Sequence, residues 1–527
     1  MEKNFKRFIK FNKKILDSNI KYQGYLGIAD RQRTSSALLG GIMFAAYSNK
    51  LRLEPVVITD QKEGDSVRLF KSLGFRNFLI GFSYKKILSL NIFITIKTTL
   101  FFLYSLFKII NINIDDFIKN YKVENIFVGD LIYDNYIRYN LAFKNPKVDF
   151  NFLKILYQAI FRVYNINLYI KKYKFSLIFV NTESYVNNNS ILLRIGIQKK
   201  IKCYLLVGNQ YLQKLVNFNS SNIKFSCWNL KSLGVSSKDL SNLRISVKSL
   251  NKFLNDRFSG VLTALTRTAN TDLINSNSIR SISKKSLFEK LKINRSFEKI
   301  ILIAPHAFSD APHSLGVDFI FRDYYQQFLK TIEFIKSRNF KNTLWLVRPH
   351  PSSERYNEIN IVKGIIERLD KTDKNIFYCP KDVVSTKDLI KICDHVITGR
   401  GTIGLEFACF GKKPLIAGAS AYSGFNLALE PKNQFEYFKF IEKLNKIKTI
   451  DKTRILLAKK ILYYFEIMYP KRIKKNFIRK DQVSKIFEDK ISNKANDNLF
   501  KRKTVNKLRQ YDFKQDALYK FYYRSAK

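Results

Sequence analysis

The chain has 527 residues, more than one ordinary domain, and its 46% hydrophobic content suffices for more than one core. Its 93 Lys plus Arg against 43 Asp plus Glu give a formal charge of +50, while only 10 prolines argue against long proline-rich linkers. Five cysteines, odd in number, widely spaced and without a CxxC pair, exclude a disulfide framework and fit a reduced, cytoplasmic compartment.

The charge has two readings. One is attraction to polyanions: anionic head groups, nucleotide-linked substrates or nucleic acid. The other is lysine spread over solvated faces, because Lys, Asn, Ile, Phe and Tyr are enriched together as in AT-rich coding. No zinc-finger spacing or RNP-type string supports specific nucleic-acid recognition. The N-terminus is basic and lacks an apolar core of signal-peptide type.

In chain order, residues 25–29 predict a strand, 30–36 a polar turn, 37–48 a small-residue helix and 55–59 the next strand. Residues 67–73 read as helix and 78–80 as a third strand. Asp30 therefore lies at a strand's carboxyl end, the ligand edge of a parallel sheet. Residues 87–112 are strongly apolar but interrupted by Lys97 and Lys108. They predict one or two amphipathic helices, either on a membrane surface or packed inside, rather than a spanning helix.

Asp130, Asp134 and Arg138 follow at spacings of four, one face of a helix. They form either an intrahelical ion-pair row or a polar wall whose carboxylate acts as general base. Residues 151–173 predict a helix and 176–180 a buried strand, which delivers Glu183 to another carboxyl-edge turn. Residues 190–197 read as helix and 203–207 as strand. The Ser-, Asn- and Lys-rich stretch 271–285 is a boundary region.

A second domain opens with strand 299–304, running into a loop that carries His306, Asp310 and His313. Strand 343–347 ends in Arg348-Pro349-His350-Pro351. Residues 394–418 parse as strand, Gly399-Arg400-Gly401-Thr402 turn, short helix and strand. That unit is either an anion site built from turn amides or a tightly packed βαβ turn. Three of the four histidines thus gather at the strand ends of one domain. Arg348, His350 and the turn amides suggest a cationic phosphate clamp. A zinc site from His306, His313 and His350 is the alternative, without the tight ligand spacing such a site shows.

Beyond these readings, the second half resembles bacterial capsule and surface-polysaccharide glycosyltransferases of GT-B fold. The resemblance is carried by His306 to His313, Asp323-Tyr324-Tyr325, Trp345 to Pro351, Pro380 to Asp382, Thr398 to Glu406, Gly411 to Gly418 and the partly kept Tyr422-Ser423-Gly424-Phe425. It implies an α/β protein with two Rossmann-like, doubly wound domains facing a cleft and a helical basic C-terminal tail. The expected domains are residues 1–290 for the acceptor, 296–450 for the nucleotide-sugar donor, and a tail of 451–527. The resemblance places His350 on the donor phosphate; Arg348, His306 and His313, read from the strand ends, are the further substrate-binding candidates. Gly401, Thr402 and Gly404 would donate amides or a hydroxyl, and Glu406 would hold ribose hydroxyls.

The resemblance implies no bound metal or cofactor, and it leaves the base open among Asp30, Asp130, Asp134 and Glu183, with Asp310 as outsider. The expected function is transfer of a sugar from a nucleotide-activated donor to a saccharide or lipid-linked acceptor, with peripheral contact to an anionic inner membrane. The alternatives are a UDP-sugar 2-epimerase-like enzyme and a non-catalytic scaffold or polyanion binder on the same fold.

Overall fold

Continuous apolar runs such as Lys299–Ala304 (KIILIA) suit strands covered on both faces, and the chain uses them in that way. The computed structural model describes residues 15–16, 19–32, 34–83, 92–109, 112–182, 184–207, 214–218, 229–231, 235–258, 281–313, 319–338, 340–354, 356–370 and 375–465, with 514, 519–520, 523–524 and 526 near the C-terminus. The described residues divide into two units. One takes those of Met1–Tyr136, Lys147–Ile223 and Pro470–Lys527; the other takes those of Ile137–Pro146 and Lys224–Tyr469.

In the first unit the strands are β1 (Gly24–Ala29), β2 (Leu53–Thr59), β3 (Asn77–Ile80), a small ribbon of β4 (Lys122–Val123) and β5 (Ile126–Phe127), then β6 (Leu177–Val180), β7 (Lys202–Val207) and β8 (Lys214–Phe218). The sheet order is β3-β2-β1-β6-β7-β8, parallel except for the last pair. The chain winds outward from β1 and then restarts on its other side at β6, so the β1/β6 junction is a topological switch point. Helix Thr34–Leu51 is packed with small and aromatic side chains; Phe44 packs tilted and Tyr47 edge-on against Phe179 of β6.

The second unit is built from β9 (Lys299–Ala304), β10 (Thr343–Val347), β11 (Ile376–Tyr378), β12 (His395–Thr398) and β13 (Leu415–Ile416). Its order, β11-β10-β9-β12-β13, is wholly parallel and of the same Rossmann type, with the switch point between β9 and β12. Register sets the site: Ala304 pairs with Thr398, and Ile303 pairs with Val347. Three strands therefore end level, and their following residues emerge at one edge.

Two domain boundaries differ from the sequence reading. Leu230, Leu240, Phe253 and Leu254, expected in the first domain, belong to the second unit's core. Helix Lys452–Tyr463, expected in a separate tail, buries Ala458, Ile461 and Leu462 in the same core. In both cases amphipathic helices cover the apolar flank of the β9–β13 layer, and short-range periodicity does not say which sheet a helix covers. The remainder of the expected tail up to residue 513 lies outside the described residues.

Candidate functional site

Pro305 directly follows β9 and turns the chain so that His306 enters the switch point. There the His306 ring lies between two others, 4.3 Å from the Tyr324 ring at 16° and 4.8 Å from the His350 ring at 19°. Tyr324 opens helix Tyr324–Arg338, and His350 follows β10. On the other side of the switch point Gly399 follows β12. A Cβ there would come within 2.9 Å of the Tyr324 ring, so this position needs glycine for the stack to close.

The 305–310 loop is held from below. Buried Glu358 accepts hydrogen bonds from the backbone N–H of Phe308 (2.9 Å) and Ser309 (2.7 Å). Asp310 approaches His306 Nδ1 at 3.8 Å and Arg138 at 4.0 Å. Arg138 comes from helix Gly129–Asn140 but belongs to the second unit. It lies over the Tyr356 ring at 4.2 Å, donates to the Tyr356 hydroxyl (2.7 Å), and reaches the Ser309 carbonyl.

These neighbours set the charge states. Burial depresses the His350 pKa to about 3, with the nearby His306 adding to the effect. Burial likewise lowers His306, with Arg400 adding and Asp310 opposing. Burial pushes Asp310 upward, but His306 and Arg138 outweigh it and hold the carboxyl below its usual range. Near neutral pH His350 is therefore neutral and Asp310 ionised. His350 Nδ1 accepts the backbone N–H of Ser352 at 3.1 Å, so in the neutral ring the proton sits on Nε2. That leaves Nε2–H as a hydrogen-bond donor.

Several expectations change on this geometry. Arg348 is buried and donates to the carbonyls of Val384 (2.6 Å) and Lys381 (3.1 Å), so it ties β10 to the 381–384 turn rather than presenting a clamp. His350 is neutral rather than cationic. His313 bonds the Arg322 carbonyl through Nε2 instead of joining the other two histidines. Among the described residues no three His, Cys, Asp or Glu side chains gather as a metal site. Glu406 is buried in an ion pair with Arg257 at 2.6 Å. It is thus not free for ribose, because removing its partner would leave a buried charge. The Gly404 N–H bonds the Gly401 carbonyl, so it is spent within the turn. Gly401 caps the helix Thr402–Ala408 without a side-chain bond, and Thr402 is half-buried.

The candidate bases in the first unit also sort by their partners. Asp130 forms a two-pronged ion pair with Arg194, at 2.6 Å to each oxygen, and is structural. Asp134 is fully buried. Glu183 lies outside the described residues. Asp30, directly after β1 at that unit's own switch point, accepts hydrogen bonds from Ser66 (2.7 Å), Thr59 (3.1 Å) and the Gln32 N–H (2.9 Å). Burial raises its pKa despite those bonds. Sequence reasoning missed Asp60, which follows β2 and binds Arg162 and Asn188. It also missed Glu358 and Tyr356. Asp60 was findable as a carboxylate at a strand's end; the other two carry no local signal.

No family model and no curated protein matches the sequence. Among solved structures, the chain is similar to a Thermosulfurimonas dismutans KpsC described as a beta Kdo 2,4 transferase, at 12% identity and TM-score 0.28, over 54% of this chain and 79% of that one. It is similar to a UDP co-structure of S. aureus MnaA at 10% identity and TM-score 0.26, over 86% and 95%. A third, Anabaena Alr3699/HepE in complex with UDP and glucose, stands at 9% and 0.27, over 86% and 99%. The fold is assigned on strand order rather than on these likenesses.

Proposed function

We propose that the β9–β13 unit binds the phosphate of a nucleotide-activated sugar at its switch point, and that the chain is a glycosyltransferase of surface-polysaccharide synthesis. The observation that carries this reading is the stack of Tyr324, His306 and His350 at the aligned ends of β9 and β10, with a donor proton on His350 Nε2. A neutral imidazole donor suits a phosphate oxygen without the desolvation cost of a buried cation. As the bond between the anomeric carbon and the phosphate oxygen breaks, negative charge grows on the leaving phosphate. That charge raises the histidine pKa, so the imidazoles gain proton affinity when the leaving group needs it.

In the transfer, the acceptor hydroxyl oxygen bonds the anomeric carbon, its proton passes to a carboxylate, and the nucleoside phosphate leaves with the bonding electrons. Asp310, held ionised, faces His306 Nδ1 at 3.8 Å and adds negative charge beside that ring.

The test is sugar transfer followed by mass spectrometry with CMP-, UDP- and GDP-sugars and saccharide or lipid-linked acceptors. His350→Gln is expected to lower transfer on the order of a hundredfold, as for loss of one transition-state donor. Unchanged transfer by that variant would overturn the reading. Donor conversion without acceptor would replace it with an epimerase.

A further inference from the structure

Helix Ile92–Ile109 is the one helix among the described residues long and apolar enough to cross a membrane, with mean hydropathy 1.6 and only 28% of it buried. Its faces are arranged oppositely to those of a core helix. The buried side carries Thr95, Thr98 and Ser105 with Ile94 and Ile109. Ser105 accepts the Tyr121 hydroxyl at 2.7 Å and donates to the Phe101 carbonyl at 2.8 Å. The large side chains point out: Ile92, Phe93, Ile96, Leu100, Leu103 and Phe107 are all exposed, Phe93 by 69%, Leu100 by 64% and Phe107 by 83%. At about 100° per residue these six fall within an arc of about 100°, an unbroken apolar stripe along roughly 23 Å of helix.

The charged side chains of the helix itself are of one sign. Lys97 and Lys108 flank the stripe on the same side, about 40° to 60° beyond its edge on the helical wheel. Lys108 lies over the Tyr104 ring at 4.6 Å, and Lys97 lies over Tyr164 at 4.2 Å while also pairing with Glu124. The helix is seated on helix Phe150–Tyr173 through Phe101 against Tyr164 and Phe102 against Tyr157. That supporting helix adds exposed Lys154, Lys171 and Lys172, and neither helix contains an Asp or Glu.

We infer that the Ile92–Ile109 face is a docking surface for an anionic lipid bilayer, with the helix lying in the plane of the membrane. An apolar arc flanked by lysines matches the two layers of a bilayer surface, acyl chains below and negative head groups above. Lysine stems run along apolar surface and carry their ammonium groups to the phosphates. The in-plane orientation follows from the seat. Spanning would strip the hydroxyl face from Tyr121 and its neighbours and would carry mid-helix Lys97 into hydrocarbon. The inference stands independently of the nucleotide-sugar reading, because it uses no residue of the second unit.

The test is flotation of the full chain with phosphatidylcholine vesicles, with and without phosphatidylglycerol. Binding is expected only with phosphatidylglycerol, reduced by high salt and released by carbonate wash. The triple variant Phe93→Ser, Leu100→Ser, Phe107→Ser should lose binding at least roughly tenfold, since it removes three of the six apolar anchors. The variant Lys108→Glu, Lys171→Glu, Lys172→Glu should lose binding to the phosphatidylglycerol vesicles. Independently, tryptophan placed by Phe107→Trp should shift its emission to the blue when vesicles are added. Equal flotation of wild type and both variants would overturn the inference. So would a lipid-free dimer, seen by light scattering, that the serine variant returns to monomer without any vesicle binding; the stripe would then cover a second copy. Resistance to carbonate would overturn the in-plane orientation.

Discussion

His350 shows how burial decides what a residue can offer. Its ring accepts from Ser352, faces His306, and has its pKa depressed to about 3 by burial. The unfolded chain takes up a proton near pH 6.5 that the folded chain refuses until about pH 3. The contribution of the neutral ring to stability is therefore complete above pH 6.5 and is lost as pH falls from there toward 3. The slope is at most about 1.4 kcal/mol per pH unit for one such group. His350→Gln should flatten this part of the profile, giving melting temperatures that fall less on acidification than wild type, with His306 supplying the remaining slope. A wild-type profile flat below pH 6.5 would sink the burial argument. Arg348, two residues earlier, teaches the opposite lesson. The string Arg-Pro-His-Pro suggests a pair of ligands, yet the guanidinium is consumed by the Val384 and Lys381 carbonyls. Which of two adjacent polar residues faces a ligand depends on which backbone passes nearby, and that is not written in the string.

At the scale of an element, the β12–turn–helix unit combines both readings that its sequence allows. The turn opens at the carboxyl edge as expected, but its glycines also serve close packing. A Cβ at Gly404 would lie 2.0 Å from the Tyr422 hydroxyl, which donates to the Gly401 carbonyl at 3.1 Å. Gly404→Ala should therefore destabilise the protein by roughly 1–3 kcal/mol, as overpacking of a filled core does. Adding Tyr422→Phe removes the clashing oxygen and should restore part of the loss, measured as denaturant midpoints of the single and double variants. If the two changes simply add, the contact is not the cause. Glu406 on the same helix turns inward to Arg257, so the unit's one acid braces the core instead of facing the edge. Its partner lies 149 residues earlier, in a helix that the sequence reading assigned to the other domain. Separation of that length is why its role could not be read locally.

Over the whole molecule, two units each place a polar residue directly beyond their first strand at a switch point: Asp30 after β1 and His306 after β9. In the second unit the site is made by register, because pairing of Ala304 with Thr398 and of Ile303 with Val347 brings three loops level. Nucleotide binding should then slow hydrogen exchange together in peptides spanning 305–310, 348–353 and 399–404. Each is expected to gain protection in proportion to RT ln(1 + [L]/Kd), where binding closes the opened state. Protection of one segment without the other two would show that the aligned ends do not act as one site.

The sequence by itself determined the α/β character, nearly every strand of the two sheets, the carboxyl-edge position of Asp30, His306, His350 and the Gly399–Thr402 turn, and the helical character of residues 92–109. These follow from short-range physics: apolar runs of strand length, glycine turns, and helical periodicity that a reader can count. Only the tertiary structure decided which helices cover which sheet, that Arg138 reaches Asp310 and Tyr356, that Glu358 holds the histidine loop, and that Arg348 and Glu406 are spent inside the core. It also decided that the Ile92–Ile109 helix turns Thr95, Thr98 and Ser105 inward and Phe93, Leu100 and Phe107 outward. The reason is common to all of them. Burial, pairing and charge state belong to contacts between residues far apart in the chain, and no local pattern encodes the partner.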